Sequence, residues 1–229
     1  MGLFNHSVKL SATSLFKGRT EWHCHVLPGV DDGIKSMEDS LSALKLYEQA
    51  GYREIWLTPH IMEDIPNRTS ALRQRFTELQ LAYSGSIRLH LASENMLDSL
   101  FDERLSAGDL LPLDDKRLLV ETSYFNPPID MDSILLGIKS KGWRPLLAHP
   151  ERYFYMDMDR YSQLKKMGVE FQLNIPSLYG AYGPEAKAKA EKLLSAGMYE
   201  YSGSDLHRVS SMERLLSAEL KKKIIGLIP

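Results

Sequence analysis

The stretch Gln49-Ala50-Gly51-Tyr52-Arg53-Glu54-Ile55-Trp56-Leu57-Thr58 holds the repeating unit of the chain. An amphipathic segment stops at a glycine, and two residues later an apolar, β-rich run begins. Glycine is the residue that most easily takes the left-handed conformation closing a helix, and Ile, Trp and Thr favour a pleated surface. The unit recurs. Tyr83-Ser84-Gly85, Ser140-Lys141-Gly142, Lys166-Met167-Gly168 and Ser195-Ala196-Gly197 punctuate the chain ahead of β-rich runs at 87–92, 144–148, 169–174 and 198–202. Two further runs, 19–26 and 117–121, complete a series of seven strands. Helix starts agree with this parsing. Ser36 stands before Glu38 and Asp39 and an apolar stripe of Leu41, Leu44 and Tyr47, and Thr69 stands before Leu72, Phe76 and Leu79. Strands alternating with helices imply parallel pairing, in either a doubly wound sheet or a closed barrel. The segments 59–68 and 94–112 read as site loops or short extra helices. Residues 1–18 read as a loose or externally docked arm, and 19–229 as one domain.

Composition narrows the function. With 229 residues, 43% hydrophobic and 25% charged, the chain buries a sizeable core and is not disordered. A net charge of −2, from 28 Lys+Arg against 30 Asp+Glu, argues against a nucleic-acid partner. The single cysteine, Cys24, excludes an intrachain disulfide framework and suits a reducing compartment, so a cytoplasmic location is expected. Met1 to His6 lacks the basic and apolar regions of a secretory signal. The myristoylation pattern fails at His6, and no run suggests membrane insertion. Oligomeric state is not legible.

The strand ends carry the chemistry. At the C-terminal edges of the seven runs stand His23 and His25, His60, Glu94, Glu121, His149, Asn174, and Asp205 with His207. Five of the seven histidines fall there; His6 and His90 do not. His90, inside a strand pattern, reads as a packed or surface histidine. In α/β barrels, ligand and catalytic residues come from the C-terminal ends of several strands. Residues i and i+2 of a strand share a face, so His23 and His25 point together while Cys24 points into the core. Imidazoles mixed with carboxylates suit manganese, iron or zinc better than calcium or magnesium. Eight candidate ligands exceed the needs of one ion; two or three ions with bridging carboxylates and a hydroxide between them would use them. Other catalytic chemistries fit poorly. A Cys-x5-Arg nucleophile is excluded because Val30 stands six residues after Cys24, Asp130 and Asp157 read as helix starts, and no phosphate-binding loop is present.

Four stretches now resemble a known family: residues 23–33 (His-Cys-His-Val-Leu-Pro-Gly-Val-Asp-Asp-Gly), Thr58-Pro59-His60, Ala148-His149-Pro150-Glu151-Arg152 and Gly203-Ser204-Asp205-Leu206-His207. They are similar to the four motifs of the polymerase-and-histidinol-phosphatase (PHP) superfamily, and within it to bacterial protein-tyrosine phosphatases of capsule and exopolysaccharide operons. The resemblance implies a distorted (β/α)7 barrel with two or three metal ions, often manganese, hydrolysing phosphotyrosine on the tail of a partner tyrosine kinase. It implies His23, His25, His60, Glu94, Glu121, His149, Asp205 and His207 as ligands, with Arg152 holding phosphate. Asp205 is also a candidate proton donor. Three departures stand out: Glu21-Trp22 replaces Asp-Ile, which would alter the approach to the site; Glu121-Thr122-Ser123 replaces Glu-Phe-Ser; and the last motif is followed directly by Arg208, with Arg214 beyond, leaving the second phosphate-binding arginine open. The alternatives are a histidinol-phosphatase-like monoesterase or a non-catalytic kinase-binding module with a relic site. Tyr124, Phe125, Tyr153, Phe154, Tyr155 and Tyr179 read first as half-buried packing, with an aromatic substrate wall as the alternative. Lys221-Lys222-Lys223 reads as a solvated helix end.

Overall fold

Along the strands, alternate residues part to opposite faces, and the two faces have different chemistry. In Arg117–Glu121 (β7 of the series below), Leu118 and Val120 pack into the main core with the helices, while Leu119 joins a smaller cluster with Ala92, Leu113, Leu146 and Ala148. Phe171 and Leu173 likewise face the helices. By the same period of two, Glu121 follows Leu119, Glu94 follows Ala92, and Gln172 and Asn174 oppose Phe171 and Leu173. The inner face therefore has an apolar floor and a buried polar layer at the strands' C-terminal ends.

The computed structural model describes residues 6–229; the reading of Met1 to Asn5 lies outside them. In chain order the elements are β1 (Ser7–Lys9), β2 (Thr20–Cys24), α1 (Met37–Ala50), β3 (Glu54–Leu57), β4 (His60–Ile61), α2 (Thr69–Ala82), β5 (Arg88–Leu91), β6 (Glu94–Met96), α3 (Phe101–Ala107), β7 (Arg117–Glu121), α4 (Met131–Ser140), β8 (Arg144–Ala148), α5 (Met158–Lys166), β9 (Glu170–Asn174), α6 (Ile175–Leu178), α7 (Gly183–Ser195), β10 (Tyr201–Gly203), α8 (Val209–Ser217), β11 (Glu219–Lys221) and α9 (Lys222–Ile225). It is a mixed α/β fold. One parallel sheet has the order β10-β9-β8-β7-β6-β4, and a second has β2-β3-β5. Hydrogen bonds run on between them: His25 N donates to Leu206 O at 2.8 Å and Asp205 N to His23 O at 2.8 Å.

Several expectations need correction. The segments 59–68 and 94–112 hold strands β4 and β6, too short for any alternation to show, and the helix α3. Pro59, which has no N–H to donate, separates β3 from β4. The last strand begins at Tyr201, because Met198 N still closes the preceding helix on Leu193 O and the Glu200 carboxylate takes Phe171 N. Thr69 is not a cap: its hydroxyl donates to Asp109, and Arg68 precedes the helix. Ser36 does cap α1, accepting from Asp39 N. Gly51, Gly142, Gly168 and Gly197 have positive φ, but Gly85 does not. A Cβ there would fall 2.3 Å from the Tyr83 hydroxyl, so close approach explains that glycine. Lys222 and Lys223 open the short helix α9 rather than ending one, and Lys221 lies in β11. Within the expected arm, β1 pairs antiparallel with β11, and Leu10, Leu15 and Phe16 are buried in the main core. No helix of the described residues is long and apolar enough to cross a membrane.

Candidate metal centre

The polar layer at the strand ends gathers the eight histidines and carboxylates singled out in the sequence, and their facing atoms form three overlapping groups. In the first, Glu94 Oε2 lies 3.0 Å from His23 Nε2 and 3.2 Å from His25 Nε2, while Asp205 Oδ1 lies 3.4 and 3.3 Å from the same two atoms. In the second, His60 Nδ1 is 3.2 Å from Glu94 Oε2 and 3.1 Å from Glu121 Oε1. His149 Nε2 adjoins it, 3.0 Å from Glu94 Oε1. In the third, Asp32 Oδ1 is 3.5 Å from His60 Nε2 and 3.4 Å from His207 Nε2, beside His25. Glu94 thus adjoins four imidazoles. His90, by contrast, stacks on Trp56 away from this layer, with Nε2 3.3 Å from Glu54.

Divalent cations fit this donor set. Ligand atoms held about 2.1 Å from a shared ion stand roughly 3.0–3.4 Å apart, which matches these separations. His60 Nδ1 and Glu121 Oε1 are buried, face each other and have no hydrogen-bond partner, a cost of about 1–3 kcal/mol for each such group unless something else satisfies it.

The imidazoles are aimed by groups behind them. Asp31 Oδ2 holds His25 Nδ1 at 2.8 Å and accepts His60 N at 3.0 Å. Gln172 Oε1 holds His23 Nδ1 at 3.0 Å, and the Asp205 carbonyl holds His207 Nδ1 at 2.9 Å. Such partners fix tautomer and ring orientation at metal sites. Asn67 Nδ2 donates to both Val30 O and His60 O at 2.9 Å, tying the Asp31-Asp32 loop to the start of β4. Two glycines are required by close approach. A Cβ on Gly33 would lie 2.3 Å from His25 O, and one on Gly203 would lie 2.7 Å from His23 Cβ. His149 and Asp205 themselves adopt left-handed φ of 35° and 51°, conformations costly for non-glycine residues and concentrated at functional sites.

Electrostatics couple the groups. Burial works against the imidazolium of His23, but Glu94 and Asp205 outweigh it and raise its pKa to about 9. His25 is raised despite burial, chiefly by Asp31. Burial opposes ionisation of Glu94 and Asp205, yet the surrounding histidines hold both well below the carboxylate range. An ionised Asp205 carboxylate suits a metal ligand. Glu21 is buried beneath the site, taking His23 N and Ser204 N at 3.0 and 2.9 Å. Burial raises its pKa to about 7, and it does not border the approach as expected.

A cavity of about 440 Å³ opens over the cluster, lined by Tyr124, Tyr182, Arg152, Arg208, Ser210, Ser211 and Arg214 in addition to Asp32, His60, Glu94, His149, Asp205 and His207. The Arg152 guanidinium sits between the Tyr124 and Tyr182 rings, 4.5 and 4.0 Å from their centroids, and its Nη1 is 2.6 Å from Asp205 Oδ2. Asn174 Nδ2 donates to the same oxygen at 3.0 Å. Of the six aromatics weighed as packing or as a substrate wall, only Tyr124 lines the cavity. Tyr153 is fully buried with its hydroxyl on Ala148 O, Tyr155 bonds Thr122, Tyr179 packs on the core, and Phe125 and Phe154 stack on each other in solvent. Tyr182, Asp31, Asp32 and Gln172 are additions that sequence reading missed. The paired acids before Gly33 and the inward parity of Gln172 were the available signals.

Comparison with known proteins agrees with this geometry. The family profile "Capsular polysaccharide synthesis, CpsB/CapC" matches residues 20–223. The tyrosine-protein phosphatase YwqE of Bacillus subtilis is 29% identical over 196 residues, 82% of this chain and 77% of its own length. The tyrosine-protein phosphatase CpsB of Streptococcus pneumoniae is 27% identical over 209 residues, 82% of this chain and 83% of its own. The fold is similar to that in the crystallographic work on these two proteins, described as unique metal-dependent tyrosine phosphatases, with a TM-score of 0.78 at 24% identity over 90% of this chain and 84% of that one. A more distant likeness in fold is to the lactonase Lmo2620 of Listeria monocytogenes, with a TM-score of 0.53 at 12% identity over 93% of this chain and 87% of that one. With nearly its whole length matched, the chain belongs to the CpsB/CapC family of capsular polysaccharide synthesis.

Proposed function

We propose that this protein is a metal-dependent protein-tyrosine phosphatase acting on the phosphorylated tail of a tyrosine kinase in capsule or exopolysaccharide regulation, in the cytoplasm. The carrying observation is the buried cluster of imidazoles and carboxylates with its unpartnered pair, His60 Nδ1 and Glu121 Oε1, under an open cavity. His23, His25, His60, Glu94, Glu121, His149, Asp205 and His207, with Asp32, would hold two or three divalent cations, manganese first among them. Bound there, the cations would polarise the phosphoryl oxygens and lower the pKa of an attacking water. The protein's part is placement. Asp31 and Gln172 keep His25 and His23 aimed with the correct tautomer, and Asn174 and Arg152 fix the Asp205 carboxylate. Arg152, clamped between Tyr124 and Tyr182, and Arg208 at the rim offer positive charge to the equatorial oxygens as charge builds. In hydrolysis water adds to phosphorus and the bond to the tyrosyl oxygen breaks. That oxygen leaves as a phenolate of pKa about 10, so the reaction tolerates the absence of a strong proton donor.

The domain reading is retained as part of this proposal, one catalytic domain over 19–229 with 1–18 as its N-terminal segment. So is a distorted seven-stranded barrel, supported by the hydrogen bonds joining β2 to the segment after β10 and by the chain continuity of β3 with β4 and of β5 with β6. The test is a side-by-side assay with manganese of a phosphotyrosine peptide, histidinol phosphate and p-nitrophenyl phosphate. Turnover of the peptide supports the reading; hydrolysis of histidinol phosphate alone would replace it with a small-molecule monoesterase.

A further inference from the structure

Helix α8 turns one face to the cavity. Ser210 and Ser211 lie four and three residues before Arg214, the spacing that puts side chains together on a helix surface, and all three line the cavity over the ligand cluster. Their charge is uncommitted. Among the described residues neither Arg214 nor Arg208 at the rim has a carboxylate within 4.0 Å, whereas Arg152 is bound to Asp205. A guanidinium left unpaired in a cavity otherwise rich in acids is a binding group waiting for an anion that arrives with the substrate. On the proposed function, the scissile phosphoryl group is served by the cluster, Arg152 and Arg208, which leaves Arg214 for another anion.

We infer that Arg214, with the Ser210 and Ser211 hydroxyls, forms a second anion subsite that reads a negatively charged side chain neighbouring the phosphotyrosine on the same peptide. This rests on the phosphatase reading and adds a sequence preference to it. The anion is a carboxylate or a second phosphoryl group, both of which an arginine fork accepts. Neutral or basic neighbours gain nothing there.

The experiment compares kcat/KM of the manganese-loaded protein on one phosphotyrosine peptide made in four forms, the neighbouring residue being Gln, Glu, Lys or a second phosphotyrosine, together with free phosphotyrosine. The wild type is expected to favour the Glu form over the Gln form by roughly two- to fivefold, the range of an exposed ion pair, and the doubly phosphorylated form by at least as much. In Arg214→Ala the Glu-to-Gln ratio falls towards one, Arg214→Lys keeps part of it, and Arg214→Glu inverts the order in favour of Lys. The inference is overturned by a ratio that does not change across these variants. It is equally overturned if Arg214→Ala loses the same factor on every peptide and on free phosphotyrosine, since Arg214 would then grip the scissile phosphate. A wild-type protein that hydrolyses none of these compounds overturns the phosphatase reading itself, and the subsite with it.

Discussion

At the residue scale, the site is a set of buried groups that oppose one another's solvation cost. Glu94 carries the most contacts, reaching His23, His25, His60 and His149, while Glu121 meets His60 with an oxygen that nothing else satisfies. Glu121→Gln is therefore expected to lower both bound manganese and turnover by at least about tenfold, the lower bound set by losses seen when mere supporting groups are removed. Elemental analysis and initial rates check this; unchanged values for both would remove Glu121 from the ligand set. Asp31 acts through His25, so Asp31→Asn should weaken manganese affinity by about 10–100-fold, read by metal titration. Ligand types were legible because five of seven histidines fall at strand ends. Asp32 was not, since it lies in a loop where neither a period of two nor one of 3.6 says which acid turns inward.

At the scale of elements, the loop after β2 is the most constrained. Gly33 leaves no room for a Cβ against His25 O, the Asn67 amide clamps Val30 O and His60 O, and Arg75 Nε donates to Pro28 O at 2.8 Å from α2. Gly33→Ala should destabilise the fold by about 1–3 kcal/mol, the usual cost of overpacking, and reduce metal content as His25 and Asp31 shift. Denaturant unfolding with metal analysis tests both, and a fully stable, fully loaded variant would show that the loop yields at little cost. The glycine-then-strand unit revealed β3, β5, β8 and β9 within a residue or two because each is four or five residues long, and β7 showed as an apolar run of its own. Strands β4 and β6, two and three residues long, gave no period to detect, and β10 was displaced because Met198 to Glu200 have strand composition although Met198 N still closes the preceding helix on Leu193 O. The β1 and β11 pair was illegible for a different reason: its partners lie more than 200 residues apart, Ser7 with Lys221.

At the scale of the whole molecule, a buried charge cluster makes stability depend on metal and pH. In the metal-free protein His23 has its pKa raised to about 9 from about 6.5 when unfolded. Its stabilisation is thus complete below about 6.5 and is lost as pH rises through 9. Glu94 and Asp205, depressed in the fold, stabilise above the unfolded carboxylate range near 4 and lose that contribution as pH falls through their folded values. The Tm of chelated protein should therefore be highest near pH 5–6 and fall towards pH 9, while manganese, which competes with protons for the same nitrogens, should raise Tm most on the alkaline side. A chelated Tm that climbs steadily from pH 6.5 to 9 would contradict this coupling. The central claim, that the strand-end cluster is a loaded hydrolytic metal centre, meets its most direct test in elemental analysis of the purified protein, paired with activity on a phosphotyrosine peptide before chelation, after it, and after return of manganese. Two or more metal ions per chain are expected, with activity lost on chelation and restored with the metal; a folded chain that binds no metal and hydrolyses no phosphotyrosine would show that the cluster is no such centre.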